Sequence, residues 1–333
     1  MKRRLLFGVL GLGMLLPASA AEPLPYAAYQ AFVRQIYAQW YLPRSHEFAV
    51  QAERLVIATS ACGDGALVQG ARNQWLETVS DWEYFSVVRG GALLARRSPR
   101  DIDFTPTRPD AIRRAVAADP QTLGALNEIG SPAKGLPALE WLLWRQPDPT
   151  KAHCSYQALV ARAVAAEAGL LVHAYEKALG DGWDESAAEY AMYEFLNLWA
   201  SGLQKLWWEE MERPLQKGVG RSGVAWSRSF SGHTRDGWLR QWAGLRRLAV
   251  GPAPSIQQYL LTQGQVRAAD RLQQEVTEAD AALAALGSAL DTPEGRMQIQ
   301  AAIKSLQGLQ AFAEGEMAAS LQFVISFFDE DGD

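Results

Sequence analysis

Apolar side chains recur every three or four residues along most of the chain, which predicts amphipathic helices. One series that shares a single helix face is Val68, Ala71, Trp75, Val79 and Trp82. No stretch of strand length shows several β-branched residues in alternation with polar ones. The pattern therefore predicts an all-α fold, with helices long enough to form helical bundles.

Two long predicted helices meet at a glycine-rich turn. Cys154 to Leu179 is alanine-rich and predicts a helix that stops at Gly180. The next predicted helix runs from Glu189 to Met211 and is ended by Pro214. The turn near Gly180 is the predicted domain boundary, because a bundle of about four helices fits on each side. An inter-helix turn inside one larger bundle would give the same pattern.

Threonines mark the starts of two later helices. Thr234 is predicted to cap a helix rich in tryptophan and leucine. Thr292, followed by proline and glutamate, predicts the N-terminus of a last helix that runs to about Phe328. Two segments are predicted to be irregular: Ser98 to Asp110, and Gln216 to His233.

The first twenty residues have the features of a secretory signal peptide. Residues 2–4 are basic, residues 5–16 are apolar, and residues 18–20 form an Ala-Ser-Ala cleavage site. The apolar run is too short for a membrane-spanning helix. We therefore expect cleavage after Ala20 and a periplasmic protein that does not span the membrane.

Composition limits the classes of partner. Removing the predicted signal peptide leaves 313 residues (333 − 20) and changes the formal net charge from −5 to −8, because three cationic side chains leave with it. An acidic chain with few basic clusters is a poor nucleic-acid binder, so no nucleic-acid partner is expected. The hydrophobic content of 48% and the twelve tryptophans indicate a large core.

The chain has two cysteines, Cys62 and Cys154. In an exported protein, an isolated pair favours a disulfide over a metal site. Two free buried thiols are the alternative interpretation.

No local motif indicates a metal site or a catalytic nucleophile. The sequence has no His-Glu-x-x-His, Cys-x-x-Cys or Gly-x-Ser-x-Gly motif, and no two histidines are three or four residues apart. The ending "FFDEDGD" places Asp329, Asp331 and Asp333 as at the start of an EF-hand loop, but the rest of that loop is missing. A solvated acidic tail is the simpler interpretation.

The stretch "GLPALEWLLW", Gly135 to Trp144, places a lone carboxylate in an apolar run. With Pro137 as the first helical residue, Glu140 would lie at the end of the first turn, near the positive end of the helix dipole. Ordinary helix-start chemistry therefore explains every residue of this stretch.

The same stretch resembles the Gly-x-His-x-x-Glu segment of the imelysin family, which consists of exported bacterial helical proteins often associated with iron uptake. Four further segments are similar to that family in the same order along the chain: "ARNQWLETVSDW", "HCSYQALVARAV", "AWSRSFSGHTRDGWLRQWAGLRRL" and "FFDEDGD". The resemblance covers the chain from Ala71 to the C-terminus.

The resemblance implies two helical bundles related by duplication, residues 21–180 and 181–333, with a site in the cleft between them. The motif glycine and glutamate of the family fall on Gly135 and Glu140, whereas its histidine falls on Pro137, which has no ring nitrogen. The carboxylate is kept, and a potential metal ligand or base is lost.

The candidate ligand-binding residues come from both halves of the chain. We predict Glu140 as a buried acceptor, Arg72 as its cationic partner or ligand clamp, and Trp75 as a wall on the same helix face as Arg72. The resemblance adds Arg228 and Ser229, from the approximate match "WSRS", as residues that close the site. A structural ion pair between Arg72 and Glu140 is the alternative.

These observations favour a periplasmic binding or accessory protein in iron acquisition. Iron or another divalent metal is the candidate cofactor, and iron-uptake components of either membrane are the candidate partners. One alternative is an imelysin-type metallopeptidase, in which Glu140 would activate water without a histidine. The other is a partner-docking protein without a small ligand, in which surplus aromatic residues would anchor the interface.

Overall fold

A computed structural model describes residues 26–63, 65–146, 149–218 and 224–323. The predicted signal peptide, residues 1–20, and the acidic ending from Phe327 to Asp333 lie outside the described residues, as does the end of the last predicted helix.

The described part of the chain is helical and contains no β-strand, which confirms the predicted fold class. The α-helices are α1 Tyr26–Ile36, α2 Leu42–Ser60, α3 Ala66–Phe85, α4 Ala92–Ala95, α5 Ser98–Ile102, α6 Pro109–Ala118, α7 Leu123–Asn127, α8 Gly135–Arg145, α9 Lys151–Gly180, α10 Glu185–Gln204, α11 Arg213–Gly218, α12 Thr234–Ala249, α13 Ile256–Thr262, α14 Val266–Ala284, α15 Pro293–Phe312 and α16 Ala318–Leu321. One 3-10 helix, Ser131–Ala133, and three π-helical segments, Tyr37–Tyr41, Lys205–Glu212 and Ala313–Met317, join some of them.

Two of the π-helical segments end two residues before a proline. Tyr37–Tyr41 precedes Pro43, and Lys205–Glu212 precedes Pro214. A proline ring normally clashes with the carbonyl group four residues earlier, and a widened turn relieves that clash. The prediction that Pro214 ends its helix is therefore wrong, because α11 continues to Gly218.

Two of the three helix ends predicted from local capping agree with the structure. Thr292 accepts a hydrogen bond from the backbone N–H of Gly295 at the start of α15. Gly180 is the last residue of α9, which begins one residue after Thr150 in a capping box. The hydroxyl of Thr234 instead donates to the carbonyl oxygen of Ser227 at 2.5 Å, so it does not cap α12 as predicted.

The segment predicted as irregular, Ser98 to Asp110, contains the short helix α5 and the start of α6. Helix α5 has only five residues, too few for a periodic pattern, and only the first two residues of α6 fall within the segment, so its prolines and charges led to the wrong prediction.

The helices on either side of Gly180 share one core. Helix α1 packs against α10, and α3 packs against α12, while α2 packs against α9 within the first half. Buried apolar side chains from both halves form one cluster. All twelve tryptophans lie within described residues, and eight of them are buried while four are half-buried, so most of the aromatic side chains predicted as core are in the core. The division into two duplicated bundles stays a prediction.

A disulfide joins Cys62, just after α2, to Cys154 in the first turns of α9. Their Cα atoms are 5.5 Å apart, as the sequence-based prediction of a bridge requires. Among the described helices only α9 is long and apolar enough to cross a membrane, and half of that stretch is buried inside the protein, as in a core helix.

Candidate functional site

A group of buried and half-buried polar side chains lies between α3, α8, α12 and the loop that precedes α12. We call this group the buried polar cluster, and its members are Glu83, Asp103, Glu140, Arg228, Ser231 and His233. Four of the six lie in helices or directly beside a helix end, and Arg228 and Ser231 lie in the loop before α12.

Helix α8 positions Glu140. The helix begins at Gly135, whose φ of +73° suits glycine, and a Cβ there would overlap the carbonyl oxygen of Ile102. Pro137 is therefore the third helical residue, and the prediction that it is the first is wrong. It still lies in the first turn, where its missing N–H has no intrahelical acceptor to lose.

Glu140 is 1% exposed, which confirms its predicted burial. Its Oε1 accepts two hydrogen bonds from one residue, the backbone N–H of Ser231 at 2.9 Å and the Ser231 hydroxyl at 2.7 Å. Burial raises the pKa of Glu140 above its ordinary value, although Arg228 and Ser231 both favour the ionised form.

Arg228 lies at the centre of the cluster and is buried. Its guanidinium donates to Glu83 Oε1 at 3.0 Å and to Asp103 Oδ1 at 2.7 Å, and its Cζ lies 5.8 Å from the centre of the Trp75 ring. Burial opposes ionisation of Arg228, but Asp103, Glu83 and Glu140 outweigh it and raise the pKa of the guanidinium. The buried carboxylates therefore surround a permanent cation.

The cation beside Glu140 is Arg228, and not Arg72 as the sequence suggested. Arg72 Nε donates to the carbonyl oxygen of Leu143 at 2.9 Å, and its Cζ lies 5.4 Å from the Trp144 ring. Both contacts are with the C-terminal half of α8, whereas Glu140 faces the loop before α12. The predicted ion pair of Arg72 with Glu140 is therefore wrong, whereas a role of Arg72 as a ligand clamp stays a prediction.

Trp75 is fully buried and belongs to the same region. Its indole N–H donates to the carbonyl oxygen of Leu136 at 2.9 Å, and its ring packs against Trp144 and His233. The Trp75 ring therefore packs beside the guanidinium of Arg228. Any role of Trp75 in ligand binding stays a prediction.

The serine that contacts Glu140 is two positions later than predicted. Ser229 is exposed, whereas Ser231 points inward. The loop turns at Arg228, whose φ of +57° is in the left-handed region. That turn sends the intervening Ser229 to the surface, so the prediction that Ser229 closes the site is wrong.

A second ion pair extends the cluster on the side of the π-helical segment Lys205–Glu212. Lys205 Nζ lies 3.0 Å from Glu210 Oε1, and the Ser227 hydroxyl donates to the other oxygen of Glu210. Burial opposes ionisation of Glu210, but Lys205, the hydrogen bond from Ser227 and Arg228 outweigh it and lower its pKa to about 2. Glu210 therefore holds the loop residue next to Arg228.

Sequence reasoning missed Glu83 and His233. His233 Nε2 lies 3.5 Å from Glu83 Oε2 and 3.4 Å from the hydroxyl of Ser80. A signal was present in Gly237, inside the predicted helix of α12: a Cβ there would lie 2.8 and 2.9 Å from the two carboxylate oxygens of Glu83. A glycine inside a helix often marks such a close approach.

Sequence reasoning also missed Asp103. It follows α5 directly, and its second oxygen accepts the indole N–H of Trp82 at 3.0 Å, so the two oxygens are shared between Trp82 and Arg228. Asp103 lies in the segment predicted as irregular, where no pattern distinguishes it from its solvated neighbours.

A cavity of about 20 Å³ adjoins Arg228, enough room for one water molecule. Glu83, Asp103, Lys205, Glu210 and Arg228 supply the charged part of its lining. Glu83 Oε2, which belongs to one of these residues, is buried and has no hydrogen bond in the structure. His233 Nε2 lies 3.5 Å from this oxygen, and the cavity is lined by both acidic and basic side chains.

The cluster does not fit a metal ion. No group of three or more histidine, cysteine, aspartate or glutamate side chains among the described residues is arranged to hold one. Glu83 and Asp103 already bind the guanidinium of Arg228, and Pro137 supplies no ligand. The carboxylates of Glu83 and Asp103 are therefore paired with the guanidinium of Arg228.

Comparisons with known proteins agree with this architecture. The structure resembles that of an imelysin-like protein from Psychrobacter arcticum, with a TM-score of 0.80 and 17% identity, over 91% of this chain and 98% of that one. It also resembles a protein from Parabacteroides distasonis described as an iron-regulated protein A precursor, with a TM-score of 0.73 and 14% identity, over 92% of this chain and 98% of that one. A comparison with curated proteins found no significant match.

The sequence model of the imelysin family, Peptidase_M75, matches residues 33–312. The match covers both halves of the chain and all members of the buried polar cluster. The chain therefore belongs to the imelysin family.

Proposed function

We propose that this chain is an exported binding or accessory protein in iron acquisition and that its binding site is the buried polar cluster with its cavity. Membership of the imelysin family and the likeness to a protein described as iron-regulated support the iron role. The predicted signal peptide supports export to the periplasm.

The single observation that carries the proposal is the place of Arg228. Its guanidinium donates hydrogen bonds to Glu83 and Asp103, so the negative charges of these two carboxylates are neutralised by a side chain of the protein itself. A hydrolytic metal site needs about three protein ligands and an open position for water. The cluster supports recognition by charge and hydrogen bonds, and it offers no comparable support for the metallopeptidase alternative.

The size of the cavity limits what enters it. A space of about 20 Å³ accepts a single atom-sized group and excludes a peptide bond with its flanking residues. A ligand of greater size would place one hydrogen-bond donor beside Glu83 Oε2 and leave its remainder at the mouth. Iron would then be bound through a chelating molecule, without direct coordination by the cluster.

Growth under iron restriction tests the proposal. A strain that lacks the protein should grow poorly, wild type and Ser229→Ala should restore growth, and Glu140→Ala should not. Ser229→Ala is the matched control because Ser229 lies on the same loop but is exposed. Thermal unfolding must show that Glu140→Ala folds, and fractionation must recover the protein from the periplasm.

Two results would contradict the proposal. One is full restoration of growth by a folded Glu140→Ala protein. The other is metal-dependent cleavage of insulin or casein by the purified protein that Glu140→Gln abolishes, which would establish the peptidase instead.

A further inference from the structure

The segment from Arg96 to Arg114 differs in charge from the rest of the chain. It contains six arginines and three aspartates, a formal charge of +3 (6 − 3), in a chain of net charge −5. The remaining residues therefore carry −8 (−5 − 3). We call this stretch the arginine segment, and it includes α5 and α6.

The acidic side chains of the arginine segment are already engaged. Asp103 binds Arg228 in the buried polar cluster, Asp110 pairs with Arg113, and Asp101 lies 3.8 Å from Lys134. Asp101 also attracts Arg96, and apart from Asp110 with Arg113 none of the three forms an ion pair with an arginine of the segment within the described residues.

Four arginines of the segment are exposed and have no ion pair within the described part of the chain: Arg97, Arg100, Arg108 and Arg114. A fifth, Arg96, pairs with Glu167 at 2.8 Å. The segment therefore presents four uncompensated positive charges to solvent.

The helices that carry or border these charges pack on the same pair of helices. Helices α5 and α6 both pack on α8 and α9. Helix α6 also packs on the 3-10 helix, whose next residue, Lys134, reaches Asp101 of α5. The two short helices are therefore neighbours of the same two helices, and the ion pair between Lys134 and Asp101 joins the segment before α8 to α5.

The composition of this surface indicates the kind of partner. Every exposed residue from Arg96 to Arg114 is arginine, aspartate, threonine or proline, and none is aromatic or aliphatic apart from proline. Protein–protein interfaces depend on buried aromatic or apolar anchors, which this surface lacks. Guanidinium groups bind phosphate oxygens well, and clusters of four or more basic residues are typical of surfaces that bind anionic lipids.

We propose that the arginine segment docks the protein on an anionic phospholipid membrane, through the phosphate groups of the lipids. The acidic remainder of the protein is repelled by the same membrane, so the protein binds in one orientation, with α5 and α6 against the lipid. The proposal does not depend on the ligand of the buried polar cluster.

Co-sedimentation of the full mature protein with vesicles tests this inference. We expect binding to phosphatidylcholine vesicles that contain phosphatidylglycerol, weak binding to pure phosphatidylcholine, and loss of binding in high salt. Each basic residue near such a membrane strengthens partitioning about fivefold, so Arg97→Glu/Arg100→Glu should weaken it by at least about 25-fold. Arg108→Glu/Arg114→Glu should have a similar effect.

The matched control is Arg267→Glu/Arg296→Glu. Arg267 in α14 and Arg296 in α15 are exposed, and this variant changes the net charge by the same amount. It should bind vesicles within about twofold to threefold of wild type if the effect is local. Glu140→Ala should bind vesicles like wild type, which separates this result from a failure of the proposed function.

Equal binding to both kinds of vesicle would overturn the inference. So would an equal loss in the control and in Arg97→Glu/Arg100→Glu, because the effect would then reflect net charge alone. Thermal unfolding of each variant verifies that the protein tested is folded.

Discussion

Ser231 donates both its backbone N–H and its hydroxyl to the same carboxylate oxygen of Glu140, across 91 positions of sequence. This contact joins α8 to the loop before α12 and fixes the position of that loop beside Arg228.

Replacing Ser231 by alanine should therefore destabilise the protein. The variant loses the hydroxyl bond to a buried carboxylate and keeps the N–H bond, so we expect a loss of about 1.5–3 kcal/mol in the free energy of unfolding. Urea denaturation measures this change. Ser229→Ala, on the exposed side of the same loop, should be within about 0.5 kcal/mol of wild type, and an equal effect of both changes would contradict the assigned contact.

Glu140 and Glu210 should respond to pH in opposite directions. The pKa of Glu210 is lowered from 4.5 to about 2 in the folded protein. The ionised Glu210 therefore contributes fully to the free energy of unfolding above pH 4.5, and this contribution is lost as the pH falls toward 2. The pKa of Glu140 is raised by burial, so the folded protein loses stability as pH rises from 4.5 through that higher value.

Glutamine variants separate these two effects. At pH 7, Glu210→Gln should lower the free energy of unfolding by about 3 kcal/mol, whereas Glu140→Gln should leave it unchanged or raise it. Denaturation curves between pH 3 and pH 7 measure both. A large loss in Glu140→Gln at neutral pH would mean that the attraction to Arg228 exceeds the cost of burying the carboxylate.

Removing the central cation should be more harmful than either change. Arg228→Met leaves Glu83 and Asp103 buried without their partner, and breaking a buried ion pair in this way costs about 3–5 kcal/mol. Arg97→Met, at an exposed position, should have little effect. If the two variants unfold at the same denaturant concentration, the cluster does not contribute to stability as described.

The disulfide between Cys62 and Cys154 closes a loop with a sequence separation of 92. In the chain-entropy model such a loop stabilises the folded state by about 4–5 kcal/mol. The double variant Cys62→Ser/Cys154→Ser should lose most of that stability, and dithiothreitol should lower the thermal midpoint of wild type but not of the variant. Two titratable thiols in unfolded, unreduced protein would exclude the bridge.

The variant Pro137→His places an imidazole where the Gly-x-His-x-x-Glu segment of the family has its histidine. We expect no metal-dependent peptidase activity from this variant, because Glu83 and Asp103 remain bound to Arg228 and no further ligand or supporting hydrogen bond is supplied. Cleavage of casein in the presence of zinc, manganese or iron measures the outcome. Activity in the variant would show that proline alone prevents catalysis.

The fold was predictable where local chemistry decides the structure. The apolar series that includes Trp75 lies within α3, and Thr292 caps α15, because periodicity and capping depend on residues only a few positions apart. The π-helical segment before Pro214 was not predictable, since a proline either ends a helix or is accommodated by a widened turn.

Of the buried polar cluster, only the burial of Glu140 was predictable from neighbouring residues. The burial of Glu140 follows from its place in an apolar run. The contact of Arg228 with Glu83 spans 145 positions, and although Gly237 marks a close approach to α12, nothing in the sequence identifies Glu83 as the residue that approaches. The sequence placed Arg72 beside Glu140, because both lie in helices with inward faces, but only the fold decides which cation reaches the carboxylate.

The π-helical segment Lys205–Glu212 makes the cluster depend on chain length as well as on side-chain identity. Each residue advances an α-helix by about 100°, and a π-helical turn accommodates one residue that an α-helical turn would not. Deleting a single residue between Lys205 and Glu210 would therefore rotate Glu210 away from Ser227. A relative with every polar residue of the cluster, but one residue fewer here, would not build the same site.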